Sequence, residues 1–219
     1  MPGLKKLIFY DLDGTLVDTK EDIARAANFM LQKMGAPPID VEEIAGYVGL
    51  GVFHLIGNCL KTEDAKRIEK GIKIYRTYYG EHMLDHSRLF PGVPEMLEHF
   101  KGGTQLVFTN KPNPYSYDML KALGVVGFFA EVLAGGGDYP KKPDPAGVLA
   151  MLEKFKVPAE QALFIGDSRV DIETARKSGI EAAVITHGFS DREALQSASP
   201  DMIAEDFVEL LQKIKEKGW

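Results

Sequence analysis

Short apolar runs that stop abruptly at polar turns recur along this chain and set its architecture. Residues 7–10 (Leu-Ile-Phe-Tyr) are continuously apolar and end at Asp11-Leu12-Asp13-Gly14-Thr15. Residues 105–108 end at Thr109-Asn110-Lys111, residues 162–165 at Gly166-Asp167-Ser168, and residues 182–185 at Thr186-His187-Gly188. A weaker run at 131–133 precedes three consecutive glycines, Gly135 to Gly137. Helical patterns at 93–100, 115–123, 145–155 and 171–177 lie between these runs. Gly124 and Gly179 stand where helix C-caps favour glycine. Near-continuous apolar strands alternating with helices predict βαβ units and a parallel sheet buried on both faces.

Residues 19–89 follow a different pattern. Ile23, Ala27, Met30, Leu31 and Met34 have helical spacing, and Gly35 with Pro37-Pro38 ends that helix. Asp40 with Glu43 predicts a capping box for a short second helix. Thr62 opens a polar helix running to Tyr79, with Ala65, Ile68, Ile72 and Tyr75 on one side. No strand is expected in this stretch. The chain therefore reads as a helical insert, 19–89, splitting an α/β core made of 1–18 and 90–219. Pro91-Gly92 marks the return to the core.

A chain of 219 residues is long for one average domain and suits a core carrying an insert. It is large enough to bury its own core without staples. The 26 Lys and Arg against 32 Asp and Glu give a net charge of -6, which argues against a broad nucleic-acid footprint. It does not exclude an anionic small substrate, because a bound cation or a few lysines invert the local field. Cys59 is the single cysteine, so neither an internal disulfide nor a cysteine-built metal site can form. Residues 1–6 have no apolar leader behind them, and no run reaches 18 apolar residues. A cytoplasmic protein, monomeric or homodimeric and without a membrane partner, is the expectation.

Sites in open parallel sheets form beyond the carboxyl ends of the strands. Asp11, Asp13, Thr109, Lys142, Asp167 and Asp171 all fall at or after such ends. Taken singly, each has a plain structural reading. An aspartate after a strand closes a turn or caps a helix, Asp171 suits a helix N-terminus, Lys142 is an ordinary lysine, and Gly14 serves a tight backbone. Taken together, four carboxylates would repel one another unless a cation bound among them. Oxygen-only ligands suit a hard ion such as Mg2+.

The joint pattern resembles the haloacid dehalogenase-like hydrolase superfamily over nearly the whole chain. The resemblance rests on four segments: Phe9-Tyr10-Asp11-Leu12-Asp13-Gly14-Thr15-Leu16-Val17-Asp18, then Thr109-Asn110-Lys111, then Lys142-Pro143-Asp144-Pro145, then Gly166-Asp167-Ser168-Arg169-Val170-Asp171. It implies a Rossmann-like three-layer core with strand order 3-2-1-4-5 and a small α-helical cap after the first strand. It implies Asp11 as the nucleophile that becomes an aspartyl-phosphate, and Asp13 as the acid and base. Thr109 and Lys142 would hold the phosphoryl group. Leu12, Gly14, Thr15, Asn110 and Lys111 would be its binding neighbours. Mg2+ would be held by Asp11, the Asp13 backbone carbonyl, Asp167 and Asp171.

Asp13 further resembles the phosphatase branch of that superfamily, since the dehalogenase and phosphonatase branches depart at this position. The Thr109-Asn110-Lys111, Gly135-Gly136-Gly137-Asp138 and Lys142-Pro143 segments look like the phosphoglycolate phosphatase-like subgroup. A small phosphorylated metabolite such as 2-phosphoglycolate is the implied substrate. Pyrophosphatase, sugar-phosphate phosphatase and β-phosphoglucomutase-like activities stay open, as does, more remotely, a noncatalytic phosphate-binding protein. No P-loop lysine motif and no Gly-x-Gly-x-x-Gly run is present.

Other features carry less. Asp18, Gly46, Gly49 and Gly51 are candidates for the cap-facing surface, or for simple helix termination. Tyr75, Tyr78 and Tyr79 read as packing aromatics. His82 and His86 have i,i+4 spacing but lack the glutamate of a zinc-protease motif. His187 reads as a loop residue, and the lysines of 61–73 as a solvated face.

Overall fold

The computed structural model describes residues 4–219. Residues 1–3, which open the expected core segment 1–18 and the leader reading, lie outside the described residues. The strands are β1 (Leu7–Tyr10), β2 (Val17–Asp18), β3 (Arg88–Leu89), β4 (Thr104–Pro112), β5 (Glu131–Gly135), β6 (Ala162–Gly166), β7 (Glu181–Ile185) and β8 (Met202–Ala204). Six of them form one sheet in the order β5-β4-β1-β6-β7-β8. Every neighbouring pair in that sheet is parallel. The expected order 3-2-1-4-5 is present, with a sixth strand, β8, added at the edge. Three residues are too few to leave a periodic signal, so β8 is visible only in the fold.

The sheet explains why its strands read as unbroken apolar runs. From β1, Leu7 and Phe9 join Leu106, Phe108 and Phe164 on one face, while Ile8 and Tyr10 join Val107, Leu163 and Ile165 on the other. Both faces are therefore dry, as parallel sheets require. The helices are α1 (Lys20–Lys33), α2 (Val41–Ala45), α3 (Val52–Leu60), α4 (Ala65–His82), α5 (Val93–His99), α6 (Tyr115–Ala122), α7 (Ala146–Phe155), α8 (Arg169–Ser178), α9 (Arg192–Ser197) and α10 (Phe207–Lys217). α7 contributes Val148 and Met151 to the first face. α5, α6 and α10 contribute Met96, Met119 and Leu210 to the second.

α1 to α4 form the helical insert, and its local details differ from the sequence reading. α4 starts after Asp64, whose carboxylate accepts from the Lys66 and Arg67 backbone N–H groups, and it continues past Tyr79 to His82. Its buried residues are Ile68, Gly71, Tyr75 and Tyr79, while Ala65 is exposed. Asp40 caps α2 through the Glu42 N–H, but Glu43 accepts from the Tyr47 hydroxyl instead of closing a reciprocal box. α3 is an additional helix that sequence periodicity alone did not reveal.

A strand also lies where none was expected. β2 and β3 pair antiparallel, Val17 with Leu89 and Asp18 with Arg88, across the two connections between core and insert. Beside them, the buried Asp22 carboxylate on α1 accepts from the His86 N–H, the Ser87 N–H and the Ser87 hydroxyl at 3.0, 2.8 and 2.7 Å. Among the described residues no helix is long and apolar enough to cross a membrane.

Candidate active site

The carboxyl ends of β1, β4 and β6 converge, and each delivers a polar cluster. After β1 the chain turns tightly. The Asp11 N–H donates to the Ile165 carbonyl at 3.0 Å, and the Gly14 N–H to the Val17 carbonyl at 2.9 Å. Gly14 has φ +78°, and a Cβ there would collide with the Asp167 carboxylate, so both conformation and space demand glycine. The Leu12 N–H donates to Asp11 Oδ1 at 2.7 Å, and the Leu12 side chain is buried in the core.

Lys142, buried beside this turn, places its ammonium 2.9 Å from Asp11 Oδ1 and 2.7 Å from Asp171 Oδ1. Asp171 lies in the first turn of α8 rather than at its start. Its second oxygen accepts from the Ser168 backbone N–H at 3.1 Å and the Ser168 hydroxyl at 2.6 Å, and the Ser168 hydroxyl oxygen accepts from the Asp171 N–H in return. That reciprocal capping box fixes Asp171 rigidly. Asp167 follows β6 and accepts from the Thr15 hydroxyl at 2.7 Å and the Phe189 N–H at 2.9 Å.

Asp11, Asp167 and Asp171 each offer an oxygen, and these atoms lie within 4.8 Å of one another with all three residues buried. No other such group of histidine, cysteine or acidic residues occurs among the described residues. Three carboxylates thus face one ammonium, in a place where water cannot spread the charge. Burial, reinforced by the Asp171 charge and opposed by Lys142, pushes Asp11 up to about 6. Burial and the charges of Asp171 and Asp11 push Asp167 up to about 8, against the Phe189 and Thr15 hydrogen bonds. Burial pulls Lys142 down, but its two carboxylate partners outweigh this and hold it above its ordinary value. A buried, oxygen-only, anion-rich donor set of this kind fits a hard divalent cation.

β4 supplies the facing wall. Thr109, Asn110 and Lys111 lie within this strand rather than after it, where its register to β5 shifts between Phe108 and Pro112. The Asn110 side-chain amide donates to the Gly49 carbonyl at 2.8 Å and the Lys142 carbonyl at 3.0 Å, and accepts from the Lys142 N–H at 2.9 Å. That side chain joins the insert to the Lys142 loop. Lys111 bonds Asp13 Oδ1 at 2.7 Å and the Tyr79 hydroxyl at 2.6 Å, and Asp13 also accepts from the Thr19 hydroxyl at 2.8 Å.

The insert covers these strand ends and leaves a cavity of about 100 Å3. Asp11, Asp13, Thr109, Asn110, Lys111 and Asp167 line it from the core, and Gly46, Gly49, Gly51, Tyr75 and Tyr79 from the insert. Lys142 bonds Asp11 at that wall, and Asp171 bonds Lys142. Gly14 and Thr15 shape it through Asp167. Gly46 also ends α2 and Gly51 precedes α3, so the glycines serve both readings. Asp18 lies instead in the β2 ribbon, and His82 pairs with Asp85 on the surface. His187 stacks on Phe90 at 3.8 Å with its Nε2 buried and unpartnered among the described residues. Thr19, Ser168 and the Phe189 N–H join the site only in the folded chain. The Ser168–Asp171 spacing carried a capping signal, but nothing local marked the other two.

A parallel α/β core, an aspartate–lysine cluster at its strand ends and a helical cap over that cluster define a hydrolase whose own carboxylate can take up a phosphoryl group. The sequence profile of the haloacid dehalogenase-like hydrolase family matches residues 8–185, and the chain belongs to that family. It is similar to a phosphoglycolate phosphatase of Vibrio parahaemolyticus, 35% identical, with 95% of this chain and 96% of that protein covered. A phosphoglycolate phosphatase of Mannheimia succiniciproducens is 36% identical, with 94% and 97% covered. The crystal structure of a predicted phosphoglycolate phosphatase from Haemophilus somnus superposes with a TM-score of 0.89 at 31% identity, covering 95% of this chain and 97% of that one. The chain is a phosphatase that acts on phosphomonoesters through an aspartyl-phosphate.

Proposed function

We propose that this phosphatase hydrolyses 2-phosphoglycolate or a similarly short phosphate ester, with Asp11 as its nucleophile and Mg2+ as its metal. The carrying observation is the Asp11 carboxylate at the wall of a cavity of about 100 Å3, paired with Lys142 and backed by Asp167 and Asp171. The names of the two phosphoglycolate phosphatases it is similar to support the same substrate. Residues 19–89 serve as the cap and 1–18 with 90–219 as the core; the four helices α1 to α4 support that division.

Asp11, Asp167, Asp171 and the Asp13 backbone carbonyl would hold the Mg2+. When bound, the ion offsets the negative charge of the phosphoryl oxygens. Asp11 attacks phosphorus while Asp13 gives a proton to the departing ester oxygen. Asp13 then takes a proton from the water that opens the acyl-phosphate. Thr109 and Lys142 hold the phosphoryl oxygens, and Lys142 restrains Asp11 as it reacts. The cap excludes bulk water, which strengthens each of these charge contacts.

The test is phosphate release from 2-phosphoglycolate, hexose phosphates, nucleotides and pyrophosphate, with and without Mg2+, by the parent and Asp11→Asn. Mg2+-dependent release from 2-phosphoglycolate by the parent alone is expected. Preference for pyrophosphate or a hexose phosphate, or isomer formation on the latter, replaces the substrate assignment. Binding without turnover across the panel would overturn the catalytic reading.

A further inference from the structure

Lys111 is buried in the wall of the cavity, yet the cluster around Asp11 already has its cation. Lys142 is committed to Asp11 and Asp171. Lys111 uses two of the three N–H donors of its ammonium on Asp13 Oδ1 and the Tyr79 hydroxyl. No further protein acceptor among the described residues meets the third. The Tyr79 ring also lies 4.6 Å from the ammonium. Core and cap thus hold this side chain in one place before any ligand arrives, which lowers the ordering cost of binding.

Its position matters as much as its spare donor. Asp13 is the group that protonates the ester oxygen, and Lys111 touches Asp13. A substituent one methylene away from that oxygen falls within reach of the same ammonium. Ile23, Val52 and Leu55 make the nearby wall apolar, the Gly46, Gly49 and Gly51 backbone and Ser190 are its neutral polar parts, and the one other ammonium near it among the described residues, Lys141 beside Gly51, belongs to an exposed residue. Arg76 also lines the cavity, but it is exposed, so water screens its charge. A buried ammonium bonds a carboxylate far better than a hydroxyl, because the bond is charge-assisted and unscreened.

We propose that Lys111 is the specificity residue for the ester's tail, binding a carboxylate carried one methylene from the ester oxygen and so selecting short anionic-tailed phosphate esters over neutral-tailed ones. This rests on the phosphomonoesterase reading above and assigns Lys111 to the carboxylate end of the substrate rather than to its phosphate.

The experiment compares kcat/KM for 2-phosphoglycolate with that for 2-hydroxyethyl phosphate, which carries a hydroxymethyl group in place of the carboxylate. The full chain with Mg2+ is assayed as parent, Lys111→Met and Arg76→Met. The parent is expected to favour 2-phosphoglycolate roughly 10- to 100-fold, the range of one hydrogen bond to a charged group. Lys111→Met lowers both rates, since Asp13 loses its partner, but it brings the ratio close to one. Arg76→Met keeps the parent's ratio. A parent without preference, a ratio that survives Lys111→Met, or an equal loss in Arg76→Met overturns the assignment. Equal release from both esters by the parent leaves the phosphomonoesterase reading standing and overturns this inference alone; release from neither overturns that reading and the inference with it. Should Lys111→Met fail to fold, the parent's inhibition by 3-phosphonopropionate and by 3-hydroxypropylphosphonate decides. Much tighter inhibition by the carboxylate supports the assignment, and equal inhibition overturns it.

Discussion

Lys142 Nζ lies 2.9 Å from Asp11 Oδ1, and both side chains are buried. That pair carries two duties, since the same ammonium also compensates Asp171 at 2.7 Å. Lys142→Met should therefore abolish detectable phosphate release and also destabilise the metal-free protein. Leaving buried carboxylates without their cation costs about 3–5 kcal/mol. The loss should shrink in acid, where Asp11 takes up a proton instead. Urea denaturation at neutral and acid pH, beside a phosphate-release assay, checks both parts.

Asp11→Asn should separate chemistry from stability. The amide cannot form an acyl-phosphate, so turnover should vanish rather than slow. Yet Asp11 is a carboxylate that burial disfavours, with its pKa pushed up to about 6. Removing its charge relieves repulsion from Asp171 and Asp167, while Lys142 retains Asp171 as a partner. The metal-free variant should melt no lower than the parent above neutral pH. A clear fall in Tm there would mean that the Lys142–Asp11 contact outweighs the repulsion.

The pH dependence follows from the same two aspartates. Unfolded, both titrate near their ordinary value of 3.8; folded, Asp11 titrates at about 6 and Asp167 at about 8. The folded state thus binds more protons through this window, and stability must fall as pH rises. Their contribution is complete below the ordinary carboxylate pKa and is lost as pH passes first 6 and then 8. The Tm of metal-free protein should decline from about pH 5 to about pH 9, and Mg2+ should restore more at the upper end. Asp167→Asn should flatten the decline. A metal-free Tm that climbs across this window would contradict the repulsion argued here.

The sequence announced those parts of the fold that burial makes periodic. β1 and β6 stand in the middle of the sheet, so every residue in them is apolar and each ends in a conspicuous aspartate. β2, β3 and β8 have two or three residues each, and α3 begins at a glycine after a loop, so no window of residues betrays them. The carboxylates were legible because four of them at strand ends demand a reason. The groups that aim them were not. Thr15 and the Phe189 N–H meet Asp167 only through tertiary folding, across 152 and 22 residues. The resemblance implies a backbone amide donor at Asn110; that its side-chain amide ties the Gly49 and Lys142 backbones together is visible only in the fold. The resemblance implies Lys111 as a phosphate neighbour, and only the folded chain brings it to Asp13 and Tyr79.

Asp22 offers a test of how the cap is fastened. Its carboxylate is 2% exposed and gathers two backbone N–H groups and the Ser87 hydroxyl from the returning connection. Asp22→Ala would leave those donors buried without an acceptor beside the short β2–β3 ribbon. Hydrogen bonds to a charged group contribute about 1.5–3 kcal/mol each, and such losses are less than additive, so a destabilisation of about 3 kcal/mol is expected. Because the damage is local, limited proteolysis should cut residues 83–90 faster in the variant than in the parent, ahead of global unfolding. Asp22→Asn tests the charge, since its amide can accept with one oxygen but must turn its own donors toward the others. It should fall between the parent and Asp22→Ala in urea midpoint. If both variants match the parent in midpoint and cleavage rate, the ribbon alone fastens the cap and Asp22 is dispensable.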